Sequence, residues 1–123
     1  MGKFHLSVRG KFDAAHYLEG YQGACANMHG HTWKVEAVFE GGKLDRLGMI
    51  VDFKFLKKEM TKIIGEFDHH CVNYILPKEQ NPTAENIAKW IFGRLKKAVK
   101  SYSVALNVVM VWESDDAWAS YSE

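Results

Sequence analysis

The chain of 123 residues is predicted to be a single α+β domain spanning residues 1–123, of order β-β-α-α-β-β. Its four strands form one antiparallel sheet with two helices on one face. Three observations predict this class: two long N-terminal stretches alternate apolar and polar residues, two central stretches carry apolar residues at helical spacing, and an apolar, partly β-branched run followed by a short aromatic stretch lies near the C-terminal end.

Phe4, Leu6, Val8, Gly10 and Phe12 alternate with His5, Ser7, Arg9 and Lys11, the period-two pattern of a half-buried strand. Continuing the phase puts Ala14 and His16 on the apolar side. In the second strand Trp33, Val35, Ala37 and Phe39 share one phase with His29 and His31, against Thr32, Lys34 and Glu36 in the other. Gly20, Gly23 and their polar neighbours suit an antiparallel connection too long for a tight hairpin. After Gly41, Gly42 and a turn-like stretch to Gly48, Asp52 is placed to cap a helix with Phe53, Leu56, Met60, Ile63, Ile64 and Phe67 inward. Asn81, Pro82 and Thr83 open a second helix, with Asn81 or Thr83 as cap and Ile87, Trp90, Ile91, Leu95 and Ala98 inward. Lys96, Lys97 and Lys100 favour its C-terminal end. The run from Val104 to Trp112 reads as a strand covered on both faces, and Trp118 to Tyr121 as a last short strand. Two helices leave the other sheet face partly bare, and Val108, Val109, Met110 and Val111 imply that a further subunit covers it.

Sixteen basic against fifteen acidic side chains give a net charge of +1, with the signs interspersed. That balance offers no electrostatic footprint for nucleic acid, and no apolar run suits a bilayer, so small molecules are the expected partners. Cys25 and Cys71 do not make a disulfide framework. The alternating pattern begins at Phe4, so no signal peptide is expected, and both thiols are read as reduced in a cytoplasmic protein.

The densest chemistry lies in Cys25-Ala26-Asn27-Met28-His29-Gly30-His31, with His16 nearby. Imidazoles two residues apart on a strand share a side, and three of them leave a coordination position open. That donor set describes a catalytic zinc site better than a closed, thiolate-rich structural one. Three desolvated imidazoles without a metal would be costly, whereas His5 and His70 lack such company and are read as surface or structural residues. Cys71 is read as structural, and the paired lysines as solvated helix faces.

These residues resemble the 6-pyruvoyl-tetrahydropterin synthase and 6-carboxy-tetrahydropterin synthase family. The similarity runs along nearly the whole chain, through Phe12-Asp13-Ala14-Ala15-His16, Cys25 to His31, Gly48-Met49-Ile50-Val51-Asp52-Phe53, Phe67-Asp68-His69, Pro82-Thr83-Ala84-Glu85-Asn86 and Trp112-Glu113. Three residues separate Cys25 from His29, as in the bacterial and archaeal 6-carboxy branch; the animal 6-pyruvoyl enzymes have a longer gap. The resemblance implies the tunnelling fold, one zinc per subunit, and a homohexamer of two trimers with sites between subunits. It also implies conversion of 7,8-dihydroneopterin triphosphate to 6-carboxy-5,6,7,8-tetrahydropterin, with release of acetaldehyde and triphosphate, on the route to queuosine. Cys25, Asp68 and His69 are the implied catalytic set, and Glu113, Thr83 and Glu85 the implied pterin contacts, Thr83 and Glu85 from the adjoining subunit. Family members often carry arginine after the first zinc histidine, where this chain has Tyr17.

The chemistry of the residues agrees. His16, His29 and His31 would hold a Lewis acid that stabilises enediolate-like oxygen. Cys25 offers a thiolate once a cation lies close. His69 offers an imidazole for proton relay with Asp68 beside it, and Glu113, at a strand end, suits bidentate acceptance from a pterin donor pair. The sister 6-pyruvoyl synthase is the enzymatic alternative. A pterin-binding or zinc-stabilised structural protein is the non-catalytic one, and a nucleic-acid module is more distant.

Overall fold

A computed structural model describes residues 2–123; Met1, within the predicted domain span, lies outside the described residues. The order is β1 (Phe4–His16), β2 (His29–Gly41), α1 (Phe53–Ile64), α2 (Ala84–Ala98), β3 (Ala105–Trp112) and β4 (Trp118–Tyr121). One antiparallel sheet takes them in the order β1-β2-β3-β4, with a register shift between Val38 and Phe39 where β2 meets β3. Both helices lie on one face, as the pattern predicts.

The period-two phases decide which side chains face the helices. Leu6, Val8, Phe12 and Ala14 of β1 are buried, as are Trp33, Val35, Ala37 and Phe39 of β2 and Val109 and Val111 of β3. They meet Leu56, Met60, Ile63 and Ile64 of α1 and Ile87, Ala88, Ile91, Phe92 and Leu95 of α2. Gly10 makes close packing of α1 feasible, because a Cβ there would stand 2.6 Å from Cδ1 of Ile64. Asp52 caps α1 by accepting from Lys54 N, and Thr83 caps α2 by accepting from Asn86 N.

Several expectations need correction. Phe53 is 51% exposed, since the first residue of α1 projects past the inward stripe. Phe67 is buried but lies beyond α1, in the turn that follows it, stacked on Phe12 at 5.1 Å. Trp90 packs against the core as expected, 5.1 Å from Phe67, though it is half-buried, as is Ala98; Ala88 and Phe92, not named from the sequence, complete the inward face of α2. β3 begins at Ala105, one residue later than expected; within the chain it buries its helix-facing phase and leaves Val108 and Met110 half-buried, so cover of the other face rests on the expected further subunit.

Candidate metal centre

The antiparallel register brings the three histidines together. His16 is directly opposite His29, and Ala14 opposite His31, so His31 stands diagonally from His16 on the same face. Ring centroids are 4.5 Å apart for His16 and His29, 5.1 Å for His16 and His31, and 4.8 Å for His29 and His31. Trp33 continues the phase and packs edge-on against His16 at 4.8 Å and His31 at 5.3 Å.

Backbone carbonyls set the tautomers. Nδ1 of His16 donates to Pro82 O and Nδ1 of His29 to Asn27 O, each at 2.7 Å. Because a carbonyl only accepts, each Nδ1 carries the proton and each Nε2 presents a lone pair. One donor nitrogen from each of the three rings lies within 4.8 Å of the others. Nε2 of His16, a residue 1% exposed, and Nε2 of His31 are buried without a hydrogen-bond partner. Such orphaned atoms are costly unless something satisfies them. Burial holds the His16 imidazole below its ordinary range, against the Pro82 bond and the Glu113 charge, and burial lowers His31 too, against Glu113. Neutral, pre-aimed nitrogens of this kind fit a divalent ion, and carbonyls that orient ligand histidines through the other ring nitrogen are the usual accompaniment.

Beside the cluster runs a groove of about 630 Å³, lined by residues that include Asp13, His31, Thr32, His69, His70 and Cys71. Its wall is stitched to β1: His69 N donates to Asp13 O at 2.7 Å, Asp13 N to Asp68 Oδ1 at 2.9 Å, and Ala15 N to His70 O at 3.1 Å. A parallel bridge pairs Ala15 with Cys71. His69 is held at φ 61°, the left-handed region, although it is not glycine. Its Nδ1 stands 3.1 Å from Asp68 Oδ2. The hydrogen bond from Asp13 N–H holds the Asp68 carboxyl below its ordinary range, and His69 adds to this.

Of the other predicted site residues, Glu113 approaches this centre through His31, and Cys25 is not brought into contact with it. Glu113 follows β3 directly, with Oε1 3.7 Å from His31 Nε2, too long for a hydrogen bond. Thr83 and Glu85 lie just after Pro82, whose carbonyl holds His16; Glu85 is exposed on the first turn of α2. Cys25 sits half-buried in the short 3-10 turn Ala24–Ala26, its carbonyl accepting from Leu18 N at 2.8 Å, and it does not line the groove. Burial chiefly, with Tyr74 nearby, raises the Tyr17 phenol, a side chain that carries no positive charge where the resemblance would place a cation.

Sequence reasoning passed over Asp13, Thr32 and Cys71 as groove walls. Asp13 and Thr32 are cross-strand partners on the polar phase, the Thr32 hydroxyl donating to Asp13 Oδ1 at 2.5 Å, and Cys71 stands two residues after His69. It also passed over Asn73, and it offered Asn81 only as an alternative to Thr83 for the cap of α2, which Thr83 supplies. The Asn73 and Asn81 side chains exchange paired hydrogen bonds with the backbones of Tyr17 and Glu19 at 2.9–3.0 Å, extending the β1 ladder past His16.

A model of the 6-pyruvoyl tetrahydropterin synthase family matches residues 5–123. The chain belongs to that family. Among relatives of this pterin synthase family, the dihydroneopterin monophosphate aldolase of Pyrococcus furiosus is 36% identical, over 93% of this chain and 93% of the relative. The 6-carboxy-5,6,7,8-tetrahydropterin synthase of Haemophilus influenzae is 29% identical, over 98% and 99%. The solved 6-pyruvoyl tetrahydropterin synthase of Caenorhabditis elegans superposes with a TM-score of 0.86 at 28% identity, covering 100% of this chain and 97% of that one. The tunnelling fold expected from the resemblance is the fold the family member has. Among the described residues, no helix is long and apolar enough to cross a membrane.

Proposed function

We propose that this family member is a zinc-dependent 6-carboxy-5,6,7,8-tetrahydropterin synthase. It converts 7,8-dihydroneopterin triphosphate to 6-carboxy-tetrahydropterin with release of acetaldehyde and triphosphate, in the cytoplasm and on the route to queuosine. The observation that carries the reading is the convergence of His16, His29 and His31, two of them with buried, unsatisfied Nε2 atoms. A relative named as a 6-carboxy-tetrahydropterin synthase, aligned along nearly all of both chains, supports it.

Bound there, the zinc supplies Lewis-acid stabilisation of charge developing on a side-chain oxygen. The protein's own residues do the rest. His69, oriented by Asp68 at 3.1 Å, takes and returns a proton on the groove side of the cluster. Glu113 accepts the amino and ring N–H donors of the pterin, which fixes the ring relative to His31. Thr83 and Glu85 complete pterin recognition for an adjoining subunit in a homohexamer of two trimers. Cys25 serves as the second base; it lies in the connection between β1, which ends at His16, and β2, which begins at His29.

A second reading has a specific observation behind it: the 36% identical relative is named a dihydroneopterin monophosphate aldolase. One assay separates these readings from each other and from the 6-pyruvoyl alternative. Zinc-loaded protein is given dihydroneopterin triphosphate and dihydroneopterin monophosphate separately, and products are identified by mass spectrometry. Acetaldehyde with 6-carboxy-tetrahydropterin supports the proposal, retro-aldol cleavage of the monophosphate alone supports the aldolase, and 6-pyruvoyl-tetrahydropterin alone supports the sister synthase. No product from either substrate leaves a binding or structural protein and overturns the proposal.

A further inference from the structure

The sheet face that points away from the helices is expected to be covered by a further subunit around Val108 and Met110; at its Lys34 and Trp112 end it carries a second concavity that shares no lining residue with the groove beside the histidines. It has a volume of about 570 Å³ and is lined by Arg9, Gly10, Lys11, Lys34, Val35, Trp112 and Asp115. That volume falls within the range of about 300–1,000 Å³ usual for small-molecule sites.

The strand register explains its chemistry. Lys11 pairs with Lys34, Lys34 with Trp112, and Trp112 with Trp118, so one row across four strands presents two ammonium groups and then two indoles. The Trp112 and Trp118 rings stand 5.6 Å apart at 40°, and Trp118 is 54% exposed. Like charges directly opposite each other oppose strand pairing. Asp115 offsets one of them, at 2.6 Å from Lys34 Nζ. Lys11 has no acidic partner within 4.0 Å among the described residues. Arg9 engages Glu36 through Nε at 3.2 Å, and the rest of its guanidinium fork stays available. In the adjacent row Arg9 faces Glu36, so the excess positive charge is confined to the row that also carries the indoles.

We propose that this face binds a phosphorylated planar aromatic ligand, its ring against Trp112 and its phosphates on Lys11, Lys34 and Arg9. Indole faces take aromatic rings, and ammonium and guanidinium groups take phosphate oxygens. The ligand is either the enzyme's own pterin phosphate or a purine nucleotide, which share this chemistry. A purine nucleotide here is independent of the reaction proposed above, whereas a pterin phosphate here rests on it.

Calorimetric titration of metal-loaded protein tests it, with guanosine triphosphate, dihydroneopterin triphosphate and inorganic tripolyphosphate as probes. Guanosine triphosphate is expected to bind more tightly than tripolyphosphate. The K11A/K34A double variant is expected to weaken it by about tenfold or more, and K11R/K34R to retain binding within about threefold. Trp112→Ala should bring the nucleotide down to the affinity of tripolyphosphate. If K11A/K34A also removes a second equivalent of bound pterin phosphate, the pterin is the occupant; if it affects the nucleotide alone, the nucleotide is. Absence of binding by the unmodified protein, or unchanged affinities in K11A/K34A, overturns the proposal. So does a change of oligomeric state in K11A/K34A by light scattering with ligand affinities intact, which would make this face a contact between copies of the chain.

Discussion

Nδ1 of His69 lies 3.1 Å from Oδ2 of Asp68, while the other oxygen of that carboxylate accepts the Asp13 backbone N–H at 2.9 Å. Neighbours in sequence rarely face each other in this way. Here the left-handed backbone at His69 turns its ring back onto the preceding side chain.

The Asp68 carboxyl is held low by the Asp13 N–H first and by His69 second. A group whose folded-state value is depressed stabilises the fold above its unfolded value and loses that contribution as pH falls through the folded one. Asp68→Asn is therefore expected to destabilise the protein near neutrality, with the difference from the unmodified chain shrinking to nothing as the pH falls below the carboxylate range. Urea melts of both proteins across that range check it, and a pH-independent difference would contradict the assignment.

The strain at His69 gives a backbone prediction separable from its chemical one. A left-handed residue with a Cβ costs about 1–2 kcal/mol relative to glycine. His69→Gly should thus be more stable than His69→Ala by about 1 kcal/mol, although both lack the imidazole and both are expected to lose turnover. Chemical denaturation of the two variants side by side provides the measurement.

If the proposed zinc is bound, removing it should expose the cost of the orphaned nitrogens. A ligand that binds only the folded chain at about 1,000 times its dissociation constant contributes about 4 kcal/mol. Chelator treatment is expected to lower the thermal midpoint by several degrees and zinc to restore it. His16→Ala should abolish both the bound metal, read by elemental analysis, and the response to chelator.

Thr83 combines a cap with a proposed pterin contact, and the two are separable. Its Oγ1 accepts Asn86 N at 3.2 Å, and loss of such a cap costs about 1 kcal/mol. Thr83→Ala should show that loss in a urea melt, together with a raised KM. Thr83→Ser should recover stability and most of the KM.

Phe12, His16, His31 and Trp33 illustrate what local patterning decides. Side chains two residues apart on a strand must share a face, so the alternation alone places three imidazoles on the helix-facing side of β1 and β2, and Asp52 and Thr83 could be recognised as caps from the polar residues that open each helix. The family motifs add Asp68, His69 and Glu113 to the same neighbourhood, but not the way they meet. The register that sets His16 opposite His29, the Pro82 carbonyl that frees the His16 Nε2, and the docking of His69 to Cys71 along the edge of β1 all depend on segments far apart in the chain. Hydrogen bonds between such segments leave no periodic trace in either one, and for that reason the roles of Asp13, Thr32, Asn73 and Asn81 emerged only when the chain was folded.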